Sequence, residues 1–131
     1  MDLTELPGRP CPIAGALELV GDRWSLLVVR EIDLGGHRFT EIQKGTGAPR
    51  DRLAARLKAL VDAGILRRER YSDAPERFDY HLTDAGRELV PVLRALFVWG
   101  DRWARTPGPG VPATPGPAAK PGVSRYAAPG R

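Results

Sequence analysis

Apolar residues recur at helical spacing along the first half of the chain, then alternate once, then recur at helical spacing again. Ile13, Leu17 and Val20 share a face and predict a short helix opening at Pro12, whose missing N–H costs nothing at the first helical position. Gly21 reads as a left-handed stop, and Asp22 as the cap of a second helix that carries Trp24, Leu27, Val28 and Ile32 to about Leu34. Thr40-Glu41-Ile42-Gln43, just after Phe39, matches a capping box and predicts a helix of one to two turns. Two glycines within residues 44–48 end it, and Pro49 begins a third long helix to about Ala63. There Leu53, Leu57, Leu60 and Val61 form a buried stripe, which turns Asp51, Arg52, Ala55 and Ala59 outward and leaves Arg56 on the flank.

Beyond Gly64, residues 65–71 read as a strand, 72–76 as a loop, and 78–82 as a half-buried strand in which Phe78, Tyr80 and Leu82 alternate with Asp79 and His81. Thr83-Asp84 then caps a final helix to about Trp103, about 20 residues and roughly 30 Å long, with a bend expected at Pro91. The order is a helix-turn-helix followed by a hairpin. It predicts a mainly α fold with a small β-hairpin wing, a winged helix-turn-helix, with residues 1–10 as an arm, 11–104 as the folded domain and 105–131 as a flexible tail rich in Pro and Gly.

Composition narrows the class without deciding it. At 131 residues there is room for one domain, and 42% hydrophobic with 27% charged residues is ordinary for a soluble globular protein. No apolar run suits a membrane span and residues 1–12 lack a signal-peptide pattern, so the expectation is a cytoplasmic protein with no membrane partner. The single cysteine, Cys11, permits no disulfide within the chain, and with only His37 and His81 as further soft ligands no metal or cofactor is expected. Nor does any nucleophile stand beside a base, which argues against an enzyme.

The net charge is +4 and the pI about 9.7, values that suit an anionic partner. All 16 acids but only 17 of the 20 cations precede residue 106, so the tail holds most of the excess. Within the nearly neutral body, Lys44, Arg50, Arg52, Arg56 and Lys58 face only Asp51 over residues 44–58. That concentration lies where a second helix of a helix-turn-helix would enter the major groove of double-stranded DNA. Arg50 and Arg52 can donate to guanine and Asp51 can accept from cytosine, while Arg56 suits phosphate and Arg77, near the hairpin tip, a neighbouring groove or backbone. Thr40, Lys44 and Thr46 complete the candidate DNA-binding set. A solvated charged face is the competing account, as is a winged helix that binds another protein.

The last helix is apolar over about half its circumference, through Leu89, Val90, Val92, Leu93, Leu96, Phe97, Trp99 and Trp103. Ile13 and Leu17 with Leu93, Leu96, Phe97, Trp99 and Trp103 are therefore expected at a homodimer interface, which would set two recognition helices about 34 Å apart on a pseudopalindromic operator.

These residues resemble the HxlR-type helix-turn-helix family of bacterial regulators over roughly residues 11–103. The resemblance rests on Cys11-Pro12, Gly21-Asp22-Arg23-Trp24, Arg38-Phe39-Thr40-Glu41-Ile42, Asp62-Ala63-Gly64 within residues 53–66, and Tyr80-His81-Leu82-Thr83-Asp84-Ala85-Gly86. It implies a dimeric winged-helix repressor or activator joined through its first and last helices. The family often has a serine ahead of the recognition helix, where Gly47-Ala48 stands here. Some members sense electrophiles or oxidants through the cysteine matching Cys11, which makes it a candidate redox sensor and a thiol-reactive compound or small molecule a candidate effector. A thiol at a helix N-terminus favours its thiolate; an inert interface cysteine is the alternative.

Overall fold

The computed structural model describes Glu5 and residues 7–104, so the 105–131 tail and most of the 1–10 arm lie outside the described residues. Among the described residues six helices and one hairpin follow in the order α1 (Pro12–Val20), α2 (Ser25–Asp33), α3 (Phe39–Thr46), α4 (Arg50–Asp62), β1 (Leu66–Asp73), β2 (Glu76–Leu82), α5 (Asp84–Arg87) and α6 (Val90–Trp103). The chain divides into two compact units between Arg87 and Glu88.

In the first unit, Val28, Val29 and Ile32 of α2, Ile42 of α3, and Leu53, Leu57 and Leu60 of α4 are buried with Ile65, Leu66 and Leu82 at the base of the hairpin. Of the side chains the periodicity placed inside, Trp24, Leu27 and Val61 are only half-buried, whereas Val29 and Ser25, which it did not name, are fully buried. Ser25 tolerates burial because its hydroxyl donates to the Asp22 carboxylate, which also accepts the Trp24 and Ser25 amides at 2.8 and 2.9 Å. The N-cap position of α2 is Trp24, not Asp22 as expected, and Asp22 instead holds the turn that leads into the helix, while Ile13 and Leu17 of α1 remain 72% and 60% exposed.

Three further local expectations need correction. Gly21 has φ −80°, not a left-handed value; a side chain is excluded there because its Cβ would fall 2.3 Å from the Leu17 carbonyl oxygen. The capping box does not start at Thr40. The α3 cap is Arg38, and the Glu41 carboxylate accepts from the Arg38 amide at 3.0 Å and the His37 amide at 3.3 Å, so only the backward half of the motif forms and Gln43 takes no part in it. The long terminal helix is in fact two, because Pro91 has no N–H to return to Arg87 and α6 begins anew with it in the first turn. Thr83 still caps α5, accepting from the Gly86 amide at 3.2 Å.

The hairpin pairs Leu66 with Leu82 and Arg68 with Tyr80 in antiparallel register, with an irregularity between Arg70 and Ser72. Both strands reach farther toward the tip than expected. At its other side β2 meets the segment before α3: Tyr80 N–H donates to the His37 carbonyl at 2.8 Å, and Asp79 forms a single bridge with Arg38. His37 Nδ1 stands 2.9 Å from the Tyr80 carbonyl and must carry the proton to donate to it. The His37 and His81 rings stack at 4.5 Å. On β1, a hydrogen bond from Arg67 and that cation's charge hold the Glu69 carboxyl below its ordinary range.

In the second unit, α6 buries Leu93 and half-buries Phe97, whereas Leu96, Trp99 and Trp103 stay exposed.

Candidate nucleic-acid interface

The α3–α4 turn is built by Thr46 and Gly47. The Thr46 hydroxyl donates to the Ile42 carbonyl at 2.8 Å and accepts from the Ala48 amide at 3.2 Å, so a side chain expected at DNA is engaged in shaping the turn. Gly47 takes φ 72°, which glycine adopts without strain, and returns its N–H to Gln43. The Arg30 guanidinium adds a bond to the Gly45 carbonyl at 2.9 Å and pairs with Glu31 at 2.8 Å, fixing the end of α3 to α2.

Pro49 caps α4 without a side-chain hydrogen bond. Successive residues of a helix are about 100° apart, so burial of Leu53 and Leu57 decides where the first turn points. Asp51 faces away from Leu53, and Arg50 and Arg52 fall on opposite flanks. The flanks are clefts. Arg50 lines an open cleft of about 440 Å³ toward the hairpin, together with Arg38, Thr40, Tyr71, Arg77 and Phe78. Arg52 lines another of about 370 Å³ toward the start of α2, with Asp22, Arg23, Trp24, Ala55 and Arg56.

The charges of each cleft are held by rings and partners. Arg50 lies over Phe39 at 5.3 Å, Arg38 over Tyr71 at 4.0 Å, and Arg23 over Trp24 at 4.9 Å. Arg38 also pairs with Asp79 at 3.3 Å, and Arg56 with Asp22 at 3.4 Å. Burial pushes the Tyr80 phenol above its ordinary value, with Arg68 offsetting part of the rise, so Tyr80 is a neutral group at pH 7.

The predicted set is therefore brought to one side of the first unit only in part. Thr40, Arg50 and Arg77 share one cleft, Arg52 and Arg56 the other, and Asp51 stands between. Lys44 is exposed near the end of α3 and lines neither cleft. Sequence reasoning gave no nucleic-acid role to Arg23 or Arg38. Arg38 stands immediately before α3, and Arg23 immediately before the Trp24 cap of α2.

The profile of the HxlR-like helix-turn-helix family matches residues 19–107. The chain is 44% identical over 95 residues to an HTH-type transcriptional regulator of Mycobacterium tuberculosis, Rv3095, covering 72% of this chain and 60% of that relative. Among solved structures it is similar to the reduced form of the transcriptional regulator YodB from B. subtilis, with 32% identity, a TM-score of 0.59, and coverage of 71% of this chain and 93% of that one. It is likewise similar to the redox regulator HypR in its oxidized form, with 33% identity, a TM-score of 0.59, and coverage of 69% and 94%. With a helix-turn-helix, an antiparallel wing and a family match over most of its length, the chain belongs to the HxlR-like helix-turn-helix family.

Proposed function

We propose that this protein is a homodimeric transcriptional regulator that binds double-stranded DNA in a sequence-dependent way through the N-terminal end of α4. The carrying observation is that the first turn of α4 exposes Arg50, Asp51 and Arg52 while Leu53, Leu57 and Leu60 anchor the helix in the core. An end so presented suits a major groove, where arginine reads guanine and aspartate reads cytosine. Thr40, Lys44 and the Thr46 turn support that helix from α3, Arg56 braces its flank, and exposed Arg77 extends the contact from the wing. The reading assigns the chain no reaction of its own.

Dimerisation through α1 and α6 is supported by the exposed apolar side chains Ile13, Leu17, Leu96, Trp99 and Trp103. The operator is then a pseudopalindrome. An effector acting through Cys11 is supported by its exposure and by its place as the α1 cap, where Sγ accepts the Ala14 amide at 3.4 Å. Among the described residues no helix is long and apolar enough to cross a membrane.

Selection of bound sequences from a random duplex pool, followed by anisotropy titrations at two salt concentrations, tests the reading. Affinity should fall steeply with salt, and Arg52→Ala should relax base preference by about 1–3 kcal/mol at its position. A protein that retains no duplex at either salt is instead a winged helix for protein partners.

A further inference from the structure

The two clefts beside α4 have matching chemistry that the recognition helix alone does not use. Each gathers three guanidinium groups about one lining carboxylate: Arg38, Arg50 and Arg77 with Glu76 toward the wing, and Arg23, Arg52 and Arg56 with Asp22 toward α2. Glu76 is paired from outside by Arg70 at 2.6 Å, which also faces Asp73 at 3.4 Å, and Asp22 is paired by Arg56. Among the described residues Arg23, Arg50, Arg52 and Arg77 form no ion pair, so each cleft keeps excess positive charge. An α-helix with its side chains is about 10–12 Å across, and the B-DNA major groove it would fill is about 12 Å wide. Two basic clefts on opposite flanks of such a helix therefore lie where the two phosphodiester chains bordering that groove would run.

We infer that the wing-side cleft and the α2-side cleft are binding sites for backbone phosphates of opposite DNA strands, with Arg38 and Arg23 as the anchoring side chains. The inference rests on the reading of α4 as a DNA-recognition helix. Both anchors are held in advance: Arg38 lies against Tyr71 and Asp79, and Arg23 against Trp24. A guanidinium fixed in place gives up less freedom when it meets a phosphate than one on a loose stem. Arg50 and Arg52 stand at the border between cleft and groove, so each can meet either a phosphate or a base edge. Asp51, between them, faces the groove centre, where a carboxylate is kept from the phosphates and accepts from cytosine.

The test is ethylation interference on a duplex selected by the wild-type protein, with anisotropy titrations over a series of salt concentrations. Ethylation should block binding at two phosphate clusters, one on each strand of a half-site. Arg38→Ala and Arg77→Ala should erase the cluster on one strand, and Arg23→Ala that on the other. Each variant should weaken selected and random duplexes by the same factor and lower the salt slope by about one. Arg77 is exposed and unpaired, so its removal leaves the fold intact even where Arg38→Ala disturbs the wing; Arg38→Lys, which keeps the charge, should recover the slope. Variants that bind with the wild-type interference pattern and slope overturn the inference while leaving the DNA reading standing. Wild-type protein that binds no duplex overturns both.

Discussion

Arg56 Nη1 stands 3.4 Å from Asp22 Oδ1, so the flank of α4 is tied to the loop that opens α2. The same carboxylate accepts the Trp24 and Ser25 amides at the start of α2 and holds the buried Ser25 hydroxyl. One side chain thereby sets both the entry of a core helix and the seat of α4.

Asp22 makes stability depend on acid. Burial raises its carboxyl pKa, but the Ser25 hydroxyl, the Trp24 and Ser25 amides and the Arg56 charge outweigh that and hold it below its ordinary value of 3.8. A depressed folded-state value means the contribution is complete above the unfolded pKa and is lost as pH falls through the folded one. Asp22→Ala should lower stability by about 1–2 kcal/mol at neutral pH. Urea titrations should show the gap between wild type and variant closing as the pH drops below 3.8.

At the foot of the wing, a Cβ on Gly86 would fall 2.4 Å from the Ile65 carbonyl oxygen and 3.2 Å from Leu82. That carbonyl is held by the Thr83 amide at 3.1 Å, while the Thr83 hydroxyl is shared between it and the Gly64 carbonyl at 2.9 and 2.6 Å, so it cannot readily step aside. Gly86→Ala should cost about 1–3 kcal/mol despite the better helix propensity of alanine. Thermal unfolding equal to wild type would contradict this close approach.

Trp99 is 61% exposed on α6. If α6 lies at the subunit contact, Trp99→Glu should give monomers by sedimentation with far-UV helicity unchanged, and duplex affinity should fall because two half-sites are no longer held together. A variant that remains dimeric moves the contact elsewhere.

Cys11 is the sole cysteine, so oxidation can join it only to a second chain or a small thiol. Diamide, taking two electrons and two protons from two Cys11 thiols, should yield a species of twice the mass on a non-reducing gel. Duplex affinity should fall and dithiothreitol should restore it. Cys11→Ser should ignore the treatment, and an equal response in both proteins would remove the sensor.

Most of the fold was legible where burial and propensity agree. Leu53, Leu57 and Leu60 repeat at helical spacing because that face meets the core, and they are buried as expected. The errors arose where local chemistry had more than one outlet. Glu41 could serve a box only as the residue that reaches back, and the chain used it two residues earlier because Arg38 and His37 offered the free amides. Pro91 announced a disturbance, but whether a helix bends or restarts depends on packing outside the window of periodicity. At the interface, the run Arg50-Asp51-Arg52 read as one trio, whereas the helix turn sends its members three ways. Arg38 was overlooked because its partners, Tyr71 and Asp79, are brought to it only by the hairpin.

The paired bonds between His37 and Tyr80, with the Arg38 and Asp79 bridge beside them, give the hairpin a short third rung on the helical body. A lone two-stranded hairpin is only marginally stable in water. With its root welded in this way, little motion remains at the base of the hairpin to be frozen out by any contact its tip makes.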